Sequence, residues 1–201
     1  MKYEKENKNA NGYCHGIVFN VMGAFIAMTL SIPFYMDSIG TILVAGLLGP
    51  KYAMLTGVLG SITSGITFDM YSFYYAPVQL FTGFFAGLLY HGKWLKGWRT
   101  PIGSLLVGIP TSLLSACITA GLFNGITSGA SSTFVVVFHH LGLPLVFSIL
   151  LVQVFTDYLD KFFAVCLTKA IIERGHLYEK WGVAWKDTAA LKTSTKEKSF
   201  F

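Results

Sequence analysis

The stretch TPIGSLLVGIPTSLLSACITAGLF, from Thr100 to Phe123, continues to Thr156 without a single Asp, Glu, Lys or Arg. A membrane-crossing helix uses ~20 apolar residues, so this run holds one complete span and most of a second. Shorter uncharged runs flank it at Asn9–Met36, Ser38–Pro50, Tyr52–Phe68 and Met70–Gly92. Over the 201 residues, 53% are hydrophobic, 15% aromatic and 12% charged, with a mean hydropathy of +0.57. Soluble domains carry about a quarter charged residues, so the composition points to lipid as the solvent. The length leaves room for roughly five or six spans and no separate soluble domain, which places any cytosolic catalytic module on another chain.

Gly, Pro and aromatic breaks within these runs predict an all-α bundle with helices near Gly16–Ser31, Ile39–Leu48, Ala53–Thr67, Pro77–Tyr90, Ile102–Leu122 and Leu145–Ile172. The expected organisation is a tail over 1–14, a membrane domain over 15–172 and a second tail over 173–201. The second helix is the weak span, because Ser38–Pro50 gives only about 20 Å of helix against a hydrocarbon core of ~30 Å; a re-entrant segment is the alternative. Charge decides between them. Cytoplasmic loops carry the excess of Lys and Arg, and six spans with both termini inside place Lys2, Lys5, Lys8, Lys51, Lys93, Lys96, Arg99, Lys169, Arg174 and the tail lysines on the inner side. Lys161 falls on the inner part of the last helix. Five spans would put Lys2, Lys5 and Lys8 outside, so six is preferred.

No A-x-A-like site follows Ile32, so the first segment reads as retained rather than as a cleaved signal. Cys14, Cys117 and Cys166 have neither metal-ligand nor disulfide spacing and are expected as small buried side chains. The net charge of +5 suits a topological signature and anionic inner-leaflet lipid better than a nucleic-acid patch.

Three outer segments then stand apart: Pro33–Ser38, Thr67–Pro77 and Phe123–Gly142. They gather aromatics, two carboxylates and two histidines on one side. An aromatic belt accounts for single tyrosines, but carboxylates beside apolar spans need a cap, a partner or a wet cavity. Asp37 therefore has two open duties, capping the second helix or touching a ligand. His139 and His140 point about 100° apart on a helix and lack a metal-ligand partner spacing, so hydrogen bonding is expected of them. Asn124, before Gly125, reads as a helix stop and a possible ligand contact. In the last helix, Gln153 and Asp157 are left open as site residues, whereas Asp160 and Lys161 read as a structural ion pair.

Asn20, Gly23, Ala24 and Ala27 form a stripe of small residues on the first helix, fit either for packing inside the bundle or for docking a separate subunit. Gly57, Gly60, Ser61, Ser64 and Gly65, with Gly83, Ala86 and Gly87, are expected to serve the chain's own packing. No hydrolase, zinc-protease or phosphate-loop motif occurs. Nor is there a convincing pair of inverted repeats.

The run from Asn20 through Pro33-Phe34-Tyr35-Met36-Asp37-Ser38-Ile39-Gly40-Thr41 to Gly49-Pro50, with Ser64–Asp69 and Pro77–Gln79, resembles S components, the substrate-binding membrane subunits of energy-coupling factor vitamin transporters. The resemblance covers roughly 15–172. It implies six helices with a short second one, capture of a vitamin or related micronutrient from outside, and docking on a transmembrane T component driven by two ATPases, in a bacterial cell membrane. ATP would be used by those partners, with no cofactor and no metal in this chain. The family's docking motif is Ala-x-x-x-Ala on the first helix; here the spacing is met by Asn20/Ala24 or Gly23/Ala27. The expected substrate site comprises Tyr35, Asp37, Asp69, Tyr74, Tyr75, Gln79, Asn124, His139, Gln153 and Asp157. An outer face without Lys or Arg favours a neutral or cationic heterocycle over an anion. A membrane sensor input domain and a membrane enzyme are the rival readings.

Overall fold

The computed structural model describes residues 2–95 and 97–174. Met1, Lys96 and residues 175–201 lie outside the described residues, and with them most of the expected C-terminal tail and its lysines. The described chain is all-helical, without strands. Six helices form its body: α1 Lys2–Thr29, α2 Ile39–Leu47, α3 Pro50–Thr67, α5 Ala76–His91, α6 Thr100–Phe123 and α8 Leu145–Arg174. Two short helices, α4 Met70–Tyr74 and α7 Ser131–His140, lie in what the sequence presented as outer connections, and a single 3-10 turn, Gly97–Arg99, precedes α6.

The helix starts follow local chemistry. Proline stands in the first turn of α3, α5 and α6, where its missing N–H leaves no helix bond unmade. Between α2 and α3, Gly49 takes φ +94°, a left-handed conformation that glycine adopts without a Cβ penalty, and Pro50 opens the next helix at once. Asn124 ends α6 as a left-handed C-cap whose N–H donates to the Thr119 carbonyl, which is the helix-stop duty expected of it.

Two stretches, Ala10–Thr29 and Gly97–Phe123, are long and apolar enough to cross a membrane. Large apolar side chains face outward along α1 (Val18, Met22, Phe25), α6 (Ile102, Ile109, Leu113) and α8 (Val146, Phe147, Phe155). All three cysteines are also exposed, which corrects the expectation of buried thiols: each lies on the outward side of its helix.

At the core is α2. It touches α1, α3, α5 and α8, and of its residues only Gly46 escapes full burial. A helix apolar on every side belongs in an interior. The approach to α1 is so close that a Cβ on Gly40 would overlap the Gly16 carbonyl oxygen. The α1 stripe is occupied in this way. Asn20, Ala24 and Ala27 are buried, and a Cβ on Gly23 would strike the Met36 carbonyl. Of the two duties open to Asn20, Gly23, Ala24 and Ala27, packing inside the bundle is the one seen here: they face the chain's own α2, its preceding connection and α3. The small residues of α3 and α5 serve internal packing as expected: Gly83 abuts the Ala53–Met54 backbone and Gly87 abuts Pro50.

The length of α2 shapes everything above it. Nine residues make about 14 Å of helix, and its contacts run from Asn20 and Asp160, midway along α1 and α8, down to Ile171 and Ile172 near the described end of α8. The connection from Leu30 to Ser38 therefore descends into the bundle, and a small space remains beside it.

Candidate functional site

Beside the start of α2 lies a small cavity, partly open to solvent. Phe34, Tyr35 and Asp37 enter its wall from the descending connection, Ser72 from α4, Tyr75, Val78 and Gln79 from the start of α5, Ser115 from α6, and Gln153, Thr156, Asp157, Asp160 and Lys161 from α8.

Asp37 leads from this wall into the first turn of α2, whose capping differs from expectation. Neither Asp37 nor Ser38 caps the helix with its side chain. Instead Asn20 Oδ1, reaching across from α1, accepts the amides of Gly40 at 2.7 Å and Thr41 at 3.1 Å. Its Nδ2 donates to Thr41 Oγ1 at 2.8 Å, and that hydroxyl donates to Gln79 Oε1 at 3.2 Å. Free of capping, Ser38 donates its hydroxyl to Asp160 Oδ2 at 2.6 Å. The same oxygen takes Lys161 Nζ at 2.9 Å, and Lys161 stands 3.8 Å from Asp157 Oδ1.

A hydroxyl latch borders the cavity. Tyr35 OH meets Thr127 Oγ1 at 3.1 Å and accepts the Gly129 amide at 2.9 Å, tying the α1–α2 connection to the segment that leads into α7. Thr127 is itself held by Ser132 at the start of α7. On the α5 side, Tyr75 OH and Gln153 Nε2 both bond Thr119 Oγ1 of α6.

Of the residues expected to bind substrate, the cavity brings together Tyr35, Asp37, Tyr75, Gln79, Gln153 and Asp157. Four others are elsewhere. Asp69 is a buried N-cap, accepting from the Tyr71 amide and the Ser72 hydroxyl. Tyr74 is exposed and packs edge-on against Phe123. Asn124 is exposed at its helix cap, and His139, also exposed, meets the Leu143 carbonyl through Nδ1. Asp160 and Lys161, read from sequence as a structural ion pair, do form one, but in the cavity wall. Positions 153, 156, 157, 160 and 161 recur at three and four along α8, so one face carries them all; that spacing is the signal that assigns the pair to the site.

No protein-family model, curated protein or solved structure matches this chain. Its function rests on the geometry.

Three carboxylates, Asp37, Asp157 and Asp160, face one ammonium, Lys161. The α2 N-terminus turns its positive dipole end toward them, which helps explain how so many carboxylates stand in one interior. No group of three metal-ligating side chains occurs among the described residues. The lining includes no histidine or cysteine. What it offers is a set of fixed hydrogen-bond acceptors beside aromatic faces, which suits recognition of a small polar ring.

Proposed function

We propose that this chain is the substrate-binding subunit of an ATP-driven importer, an S component of the energy-coupling factor type, which captures a vitamin or related heterocyclic micronutrient from outside a bacterial cell. The observation that carries the reading is the cavity beside the start of a short central helix, lined by polar and aromatic side chains and bordered by a latch that joins two separate connections. A partly open cavity with polar groups converging beside aromatic faces supports a ligand-binding reading.

In this reading six helices span the membrane, α2 crossing it only together with its descending connection, and both termini face the cytoplasm. The chain binds and does not turn its ligand over; the energy comes from two ATPases acting through a T component. Because the small stripe of α1 is filled, docking uses another surface.

Native mass spectrometry of the protein purified from cells tests the binding step, since a retained metabolite identifies the ligand. Reconstitution with a T component and its ATPases tests transport. ATP-dependent uptake of the retained compound is the expected result. Ligand retention without uptake would favour a sensor input domain, and conversion of the compound by the purified chain would favour an enzyme.

A further inference from the structure

The acceptors in the cavity are not all used by the protein. Asp160 is only 3% exposed; its Oδ2 is taken by Ser38 and Lys161, while its Oδ1 has no partner among the described residues. Asp157 repeats the pattern, with Oδ1 at the outer limit of an ion pair with Lys161 and Oδ2 buried and unpartnered. Asp37 adds a third carboxylate from the facing wall. A buried carboxylate oxygen without a donor is costly, and two of them beside one cavity imply that donors arrive with the ligand.

Resting on the binding reading above, we infer that the cavity selects a cationic ring compound, one carrying its charge on a planar group with at least two N–H donors, of the amidine or aminopyrimidinium kind, seated between Asp157 and Asp37. The charge follows from the balance of the wall. The single ammonium is already shared by two carboxylates, so an anion would meet Asp157 and Asp37 with no cation left for it. A neutral ring would leave the excess of carboxylate uncompensated. The planar donor pair follows from carboxylate geometry, because two parallel N–H bonds match two carboxylate oxygens. The flat body follows from Phe34, Tyr35 and Tyr75 in the same wall, whose faces attract a cationic ring.

Three probes of one shape separate charge from size: benzamidine, benzamide and benzoate, titrated against the full chain in lipid nanodiscs. Benzamidine is expected to bind at least about ten-fold more tightly than benzamide, with benzoate weakest. Asp157→Asn, which keeps the side-chain shape, should lower benzamidine affinity about ten-fold or more and leave benzamide within about two-fold. Asp37→Asn, outside any helix, gives the same comparison if the first variant does not fold. Equal binding of benzamide or benzoate, or discrimination that survives in the folded variant, overturns the inference.

Native mass spectrometry separates the two levels of the reading. A retained neutral or anionic metabolite overturns the cation preference and leaves the binding subunit standing, whereas a retained cation supports both. Absence of any retained metabolite together with silence from all three probes overturns both.

Discussion

Replacing Asn20 by alanine should unseat the start of α2, next to the cavity wall. The side chain accepts two amides at the start of α2 and donates to Thr41, and it is buried, wedged between α2 and Gly60 of α3. Asn20→Ala leaves the Gly40 and Thr41 amides without their acceptor in an interior. Each buried orphan donor costs about 1–3 kcal/mol, and loss of an ordinary N-cap costs about 1 kcal/mol. A total near 2–4 kcal/mol is expected, with part of the upper range relieved if water enters from the cavity. At roughly 2–4 °C per kcal/mol for a chain of this size, the melting temperature in detergent falls by about 5–15 °C. Asn20→Asp retains both acceptor contacts and loses only the donor to Thr41, so it should fall between parent and alanine. Thr29→Ala, which removes an exposed hydroxyl bonded to the Phe25 carbonyl, is the control and should change stability by less than about 0.5 kcal/mol. Denaturation by SDS in mixed micelles reads all three. If Asn20→Ala matches the Thr29→Ala control, the start of α2 is not held from α1 and the account of its capping is wrong.

Tyr35→Phe removes the latch to Thr127 and Gly129 while keeping the ring; ligand release measured by stopped-flow should accelerate about ten-fold with stability altered by only about 1 kcal/mol, and an unchanged release rate would dispose of the latch. Lys161→Met leaves Asp157 and Asp160 facing each other uncompensated and should destabilise the chain by about 3–5 kcal/mol, with Asp160→Asn in the same chain restoring part of the loss; a variant as stable as the parent would show that the ion pair carries no structural weight. Tyr74→Ala and His139→Ala, both outside the cavity, should leave ligand retention within about two-fold, and a loss beyond that would relocate the site. For orientation, Tyr74→Cys should react with an impermeant maleimide on intact cells and Lys93→Cys should not, in a background with Cys14, Cys117 and Cys166 replaced by alanine; labelling of both or of Lys93→Cys alone would contradict the six-span topology.

The six helices of the body were legible because uncharged runs end at charges, glycines and prolines, and several of these signals coincide with the actual ends: Pro50 and Pro101 open helices, Asn124 and Gly125 close one, whereas α1 starts at Lys2, within the expected 1–14 tail and well ahead of Gly16. The two short helices were not. Five residues held by one Asp69 cap, and a Ser131–His140 segment rich in β-branched residues, carry too little periodicity to distinguish them from connections. Within the site, residue type singled out Tyr35, Asp37 and Gln79, but it also singled out Asp69 and His139, because a polar residue at a span end has the same appearance whether it caps a helix or faces a cavity. Asn20 shows the reverse difficulty. In sequence it belongs to a stripe of small residues, and only the crossing of α1 over α2 reveals it as the cap of a helix about twenty residues away. Asp160 and Lys161 form the ion pair the sequence suggested, and what the sequence did not show is that α2 begins midway along α8, which brings the pair beside a cavity.

That midway beginning makes chamber depth a matter of chain length. Each residue added ahead of Ile39 in helical form would extend the start of α2 by ~1.5 Å, so one extra turn would crowd the cavity and one turn fewer would deepen it toward the Leu47 end of α2. A bundle of this kind can thus be retuned to larger or smaller ligands by insertion or deletion in one short segment, without redrawing the walls that α5, α6 and α8 provide.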